Sequence, residues 1–232
     1  MKFAIIAAGE GARLVSEGVV TPKPIVSIDG EPMIDRLVRI FAANQASSVS
    51  VIVNEEMLEV HEHLLHTTWP VPLHILRQST PSSMHSFYAL ASSLGDERFC
   101  LTTVDTIFRE DEFAEYISAF LHCQADGLFA VTDFVDDESP LFVETDETMT
   151  IRGFHDEMSP NAHFVSGGIY CLKASSIAVL KSSIEAGMSR MRNFQRQLVK
   201  NGLQIQAWPF SKIIDVDHTG DIRQAERFLK GI

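Results

Sequence analysis

A mixed α/β fold is what this sequence predicts, and three observations predict it. Five short, almost continuously apolar runs recur along the front of the chain: "KFAIIA" (2–7), "VSVIVN" (49–54), "PLHILR" (72–77), "RFCLTTV" (98–104) and "GLFAVT" (127–132). Segments with apolar residues at helical spacing fall between them. Past residue 133 the rhythm changes to closely spaced strands. Unbroken apolar runs mark strands buried on both faces, and strand alternating with helix implies parallel strands joined by crossover helices.

The elements follow in order. The first strand, 2–7, leads into glycines rather than directly into a long helix. Residues 32–44, "PMIDRLVRIFAAN", open with proline in the first turn and repeat apolar residues at helical spacing. Segments 55–66, 84–94 and 110–122 are the other helices of the front half. "LFVETDETMTIRGFHD" (141–156) reads as a β-hairpin turning near Asp146-Glu147, and "HFVSGGIYCL" (163–172) as a strand carrying a double glycine. Helices at 174–182 and 188–200, strands at 203–208 and 212–216 and a last helix at 219–230 complete the pattern. No Ser/Gly/Pro-rich linker, internal repeat or low-complexity tract divides the halves. One domain over 1–232 is expected, in two halves, 1–132 and 133–232, divided where the rhythm changes.

Composition bounds the partners. The 232 residues are 45% hydrophobic, enough for a sizeable core. Net charge is −12, from 31 acids against 19 bases. That balance disfavours nucleic acid and anionic membrane as partners, which require a basic face. No apolar run approaches the roughly 18–20 residues of a membrane span. "MKFAIIAAGEGARL" resembles a weak signal peptide, but its apolar stretch is short and interrupted by glycines and Glu10, so it reads as a strand. Cys100, Cys123 and Cys171 form no zinc pattern and suit a reducing, cytoplasmic setting, with Cys100 and Cys171 as core thiols.

Chemistry concentrates in "AAGEGARLVSEGVVTPKP" (7–24). Glycines at a strand end expose backbone N–H groups as an anion nest. Arg13 adds a planar guanidinium fork and Lys23 a mobile point charge, together enough to neutralise a triphosphate. A dinucleotide signature would need a third glycine opening a helix, and it is missing after Gly9 and Gly11. The P-loop spacing is also absent, and Pro22 and Pro24 oppose a long regular helix here.

Taken with the following "TPKPIVSIDGEPMIDRL", residues 7 to 37 resemble the signature of the sugar-phosphate nucleotidyltransferases, the superfamily of NDP-sugar pyrophosphorylases and MobA-like NTP transferases. The shared pattern is a glycine-rich loop with an arginine, then Pro-Lys-Pro, then Gly-x-Pro-Met-Ile opening a helix. The resemblance implies a three-layer αβα sandwich around a mixed, mainly parallel sheet, with 1–132 as the nucleotide-binding half and 133–232 as the acceptor-binding half. It implies transfer of an NMP group from an NTP to a sugar 1-phosphate or similar small phosphate, with pyrophosphate leaving. The expected magnesium ion would take one or two carboxylates. Asp105, directly after an apolar strand, resembles the family's Gly-Asp position, with Val104 in place of the glycine. Asp215 and Asp217, in "KIIDVDHTGD", resemble its late metal-binding segment; either or both could bind, with Asp217 slightly preferred. Asp221 is left to serve the last helix.

The family also suggests that Ala7, Ala8 and Gly9 approach the base by backbone, and that Gln78 and Ser83 lie beside it. Ser82-Ser83-Met84 replaces the more usual Gly-Thr-Ala, leaving the base open. Gly167 and Gly168 would line the acceptor pocket. The expected Glu-Lys beside it is Asp156-Glu157 here, so the acceptor phosphate lacks its usual cation, for which Arg152 or Arg190 could substitute. That departure motivates a competing reading, a non-catalytic nucleotide- or sugar-nucleotide-binding module. An NAD-dependent oxidoreductase is disfavoured by the missing third glycine. Homo-oligomerisation is left open. "HEHLLH" (61–66) lacks a carboxylate to complete a metal set, and "DFVDDES" (133–139) lacks EF-hand spacing and reads as a solvated turn.

Overall fold

The computed structural model describes residues 1–135 and 138–232; Asp136 and Asp137 of the acid run lie outside the described residues. β1 (Lys2–Ala7) leads to α1 (Ala12–Ser16), a 3-10 turn (Lys23–Ile25), the small pair β2 (Ser27–Ile28) and β3 (Glu31–Pro32), and α2 (Met33–Ala43). β4 (Ser48–Val53), α3 (Leu58–His66), β5 (Leu73–Arg77), α4 (Ser83–Leu94) and β6 (Phe99–Thr103) continue the alternation. β7 (Thr106–Ile107), α5 (Glu110–His122) and β8 (Gly127–Thr132) end the front half. The hairpin β9 (Phe142–Thr145) and β10 (Ile151–His155) precedes the long β11 (Ala162–Leu172). Helices α6 (Ser175–Glu185) and α7 (Met191–Lys200), strands β12 (Ile205–Pro209) and β13 (Ile214–Asp215), and α8 (Thr219–Lys230) follow.

The main sheet is mixed. Along β5–β4–β1–β6–β11–β8–β12, every strand except β11 runs in the direction of β1. β11 is long enough to hold β9 with its first residues and β6 with its last. β4 and β8 are buried at every position, β8 as an almost wholly apolar run and β4 with Ser48 and Ser50 buried among its valines. One apolar layer joins α2, α3 and α5 to one face of the sheet. A second joins α4, α6 and α7 to the other. The αβα sandwich follows. Within the first layer Phe41 stacks on Phe3 with ring centroids 4.5 Å apart, and Phe108 on Phe113 at 4.8 Å. Truncating one such buried ring costs about 3–5 kcal/mol.

Element boundaries move where local hydrogen bonds compete. α3 begins later than the pattern predicts because the Asn54 side chain accepts from Glu56 N–H (3.0 Å) and its carbonyl accepts from Met57 N–H (3.1 Å), making a turn. α7 begins at Met191 because Gly187 and Arg190 both have positive φ, which breaks the helical path. α5 carries Glu110, Asp111 and Glu112 in its first turn, where acids favour the helix dipole. Among the described residues no helix is long and apolar enough to cross a membrane.

Candidate active site

Parallel neighbours β1 and β6 place their C-terminal ends side by side. Val104 N–H bonds the carbonyl of Ile6 (3.0 Å), which carries Asp105 to the foot of the glycine loop. At Gly11 the backbone has φ 62°, and a Cβ added there would meet Lys23 Cβ at 2.9 Å. Glycine therefore lets the loop lie directly against the Pro22-Lys23-Pro24 turn. The third strand of the site returns from far down the sequence. β13 pairs antiparallel with β7, and Val216 N–H bonds the carbonyl of Asp105 (3.0 Å). This sets Asp217 next to Asp105. Asp221 then accepts from the N–H groups of Asp217 (2.9 Å) and His218 (2.6 Å), fixing the start of α8.

Lys23 lies at the centre of these pieces, only 7% exposed. Its Nζ donates to Asp105 Oδ2 and to Asp217 Oδ1, the latter at 2.6 Å. The other oxygen of Asp217 accepts from Arg13 Nη1 at 2.7 Å, and Arg13 Nη2 reaches Glu138 Oε2 at 3.2 Å. Burial disfavours the charged form of Lys23, yet the two adjacent carboxylates outweigh it and raise its pKa above the ordinary lysine value. Burial likewise opposes ionisation of Asp217, but Lys23 and Arg13 hold its carboxyl below the usual aspartate value. Asp105 Oδ1 is buried and has no hydrogen-bond partner.

A cleft of about 520 Å³ opens above this constellation. It is lined by the 8–13 loop, Lys23, Asp105, Asp217, Asn54 and Thr80 to Ser83 at the start of α4. A second, smaller cavity lies on the far side of Arg13 and Asp217, between Phe134, Pro140, Ser166, Gly167, Asp215 and His218. Arg13 and Asp217 line both. Two chambers that meet at one cation and one carboxylate suit two ligands reacting at their junction. Gly167 belongs to the wall of the second chamber; a Cβ there would overlap Ile213 Cδ1 and sit 3.2 Å from the carbonyl of Ala130. Gly168, at φ 74°, lies against Thr106, and the ladder of β11 with β8 is irregular between Ser166 and Tyr170.

The predicted residues do not all converge. Arg13, Lys23, Asp105, Asp217, Ala8, Gly9, Gly11 and Ser83 line the first cleft together. Ala7 is fully buried in the core beneath the loop and is not among the lining residues. Gln78 is exposed at the end of β5, its N–H on the carbonyl of Val53 (2.9 Å), and does not line the cleft. Asp215 is exposed and lines the second cavity. Arg152 pairs with Asp146 at 2.5 Å in the hairpin, while the Arg190 N–H reaches Ser82 Oγ at 3.3 Å.

Several pairings had not been read from the sequence. Glu17 accepts from His218 Nδ1 (2.5 Å) and from the Thr219 N–H and hydroxyl (2.8 Å each), tying α1 to α8. The His218 hydrogen bond, then those from Thr219, lower the Glu17 pKa to about 2, and Glu17 in turn raises that of His218. Arg192 (2.5 Å) and Arg196 (2.7 Å), one turn apart on α7, both clasp Asp156. Their spacing was the one available hint. His63 of the histidine-rich helix pairs with Asp35 at 2.6 Å.

Comparison with known proteins agrees with this picture. The model of the MobA-like NTP transferase domain matches residues 3–195. The bifunctional protein GlmU of Thermodesulfovibrio yellowstonii is 23% identical over 246 residues, covering 99% of this chain and 52% of its own length. GlmU of Methanococcus maripaludis is 23% identical over 208 residues, covering 87% of this chain and 48% of its own. The chain thus spans about half the length of these curated relatives. In fold it superposes on a Bacillus anthracis crystal structure, provisionally described as a glucose-1-phosphate thymidylyltransferase in complex with sucrose, with TM-score 0.86, 18% identity and coverage of 100% and 96%. An inositol-1-phosphate CTP transferase from T. maritima gives 0.83 at 18% identity, with coverage of 99% and 96%. A UDP-glucose pyrophosphorylase complexed with UDP-glucose gives 0.82 at 16%, with coverage of 99% and 98%.

Proposed function

The chain belongs to the MobA-like NTP transferase family, and from that premise we propose that it transfers an NMP group from an NTP to a sugar 1-phosphate or similar small phosphate. The observation that carries this reading is Lys23 held between Asp105 and Asp217 beneath the glycine loop, where two chambers meet. An acceptor phosphate oxygen attacks the α-phosphorus; the bond from that phosphorus to the β-phosphate bridging oxygen breaks, and pyrophosphate leaves. The attacking phosphate is already ionised, so no protein base is needed. Positioning and electrostatics supply the rate.

The Gly9–Gly11 backbone and Arg13 grip the triphosphate, with Lys23 as the second cation. Ala8 and Ser83, which line the cleft, would read the base; Ala7 supports the loop from the core beneath it, and Gln78, outside the cleft wall, is left without that role. Gly167 leaves room for the acceptor, and Gly168, at positive φ against Thr106, shapes the strand behind it. The donor set of hard oxygens, with Asp105 Oδ1 buried and unpartnered, fits magnesium held by Asp105 and Asp217 together with substrate phosphates. When bound, Mg²⁺ offsets the charge that gathers on the α-phosphate and leaving group. In this reading residues 1–132 serve the nucleotide and 133–232 the acceptor within one cytoplasmic domain, alone or as a homo-oligomer. Pyrophosphate release from the four NTPs against a panel of sugar 1-phosphates, with Asp105→Ala as control, tests the proposal. NTP binding without release under any pairing favours the binding-module alternative.

A further inference from the structure

Resting on that reading, we infer that Lys23 is the resident counter-ion of the metal carboxylates in the nucleotide-free protein, so that divalent metal and triphosphate are taken up together and metal alone is turned away. The geometry carries the argument. One ammonium occupies an oxygen of each carboxylate. Arg13 takes the remaining oxygen of Asp217, which leaves Asp105 Oδ1 as the one unpartnered carboxylate oxygen of the pair. A magnesium ion requires oxygens at about 2.0–2.1 Å in near-octahedral order. The ammonium nitrogen, seated between Asp105 Oδ2 and Asp217 Oδ1, fills the position from which one ion would bridge those two oxygens, and its charge repels that ion.

The ligand set is also too small without help. Among the described residues no group of three or more His, Cys, Asp or Glu side chains is assembled to hold a metal. Two carboxylates that already share two cations have little charge left to attract a third. A triphosphate changes both terms. Its oxygens complete the coordination sphere, and its charge draws Lys23 Nζ off the carboxylates onto phosphate.

Lys23 is built for that transfer. Its backbone is clamped between Pro22 and Pro24 in a 3-10 turn and packed against Gly11, while its flexible four-carbon stem lets Nζ relocate. Because the coupling is a free energy between two binding events, metal must raise nucleotide affinity by the factor that nucleotide raises metal affinity.

The test measures Mn²⁺ binding calorimetrically and by spin resonance on wild type, Lys23→Met and Lys23→Arg, first with no nucleotide. Lys23→Met is expected to bind Mn²⁺ at least tenfold more tightly than wild type, whereas Lys23→Arg, which keeps the cation, stays weak. Thermal melts establish that each variant is folded. With ATP, CTP, GTP or UTP added, wild type is expected to gain Mn²⁺ affinity for at least one nucleotide by tenfold or more. Equal Mn²⁺ affinity of wild type and Lys23→Met in the absence of nucleotide overturns the inference and leaves pyrophosphate release by wild type untouched. No Mn²⁺ on any of the proteins with any nucleotide overturns the inference and the metal reading together.

Discussion

Replacing Gly11 by alanine tests the geometry on which the phosphate loop rests. Gly11 sits at φ 62°, where a side chain costs about 1–2 kcal/mol. The new methyl would also meet Lys23 Cβ at 2.9 Å, closer than such carbons pack. Relief by a small backbone shift adds about 1–3 kcal/mol, as for other overpacked sites. Shortening residue 23 to alanine gives no relief, because the crowded atom is the Cβ itself. The sum is roughly 2–5 kcal/mol, or about 4–20 °C in melting temperature for a chain of this size. Gly9→Ala is the internal control: no atom lies within 4 Å of its added Cβ, and its φ is not positive. Its stability should change by no more than about 1 kcal/mol, of either sign. Denaturant titration and thermal melts compare the two, and fluorescence titration with NTPs should show weaker binding for Gly11→Ala. Equal stability of the two variants would refute the claim that close approach to Lys23 dictates glycine at position 11.

Asp105→Asn and Asp217→Asn should each lower the rate of pyrophosphate release by about 100- to 1,000-fold, the loss typical of one preorganised electrostatic group, and Asp215→Asn by much less; a coupled pyrophosphatase assay measures all three. Gly167→Ala, which overlaps Ile213 Cδ1, should destabilise by about 1–3 kcal/mol and raise KM for the acceptor more than for the NTP, read from initial rates with each substrate varied. The Glu17–His218 tie should give a pH signature. The raised His218 pKa contributes stability that is complete below its unfolded value of about 6.5 and lost as pH rises through the folded value. The lowered Glu17 pKa contributes stability present above its unfolded value of about 4.3 and lost as pH falls through about 2. Wild type minus His218→Asn stability should therefore peak between about pH 4.5 and 6.5, and a flat difference across pH 4–9 would contradict the tie.

The strands of the front half were legible because burial on both faces leaves a nearly continuous apolar record, as in residues 3–7 of β1 and 128–131 of β8. The glycine loop and Asp105 were legible for a related reason, since each closely follows a strand of the sheet, and Lys23 was legible from the prolines on either side of it. The choice between Asp215 and Asp217 was not. Alternation argued for one shared face, but β13 lasts only Ile214–Asp215, and the chain then turns into the capped start of α8. Past the strand the period of two no longer governs direction, so Asp217 swings onto Lys23 while Asp215 lines the neighbouring cavity. Gln78 misleads similarly, because a residue just past β5, at the end of the strand path, need not face the central cleft. Glu17 and His218 were invisible because the packing of α1 against α8 sets their pairing, and Arg192 and Arg196 showed only their one-turn spacing, with nothing local to name Asp156 as their partner.

The bond between Lys23 and Asp217 closes across 194 residues of sequence. At ribosomal speeds of about 5–20 residues per second, roughly 10–40 s separate the synthesis of its two ends. Asp105 is made 82 residues after Lys23, so for the later part of that interval the lysine has one acid instead of two. Chemical competence is thus a late event in the life of each copy, acquired when α8 docks rather than when the nucleotide half first collapses.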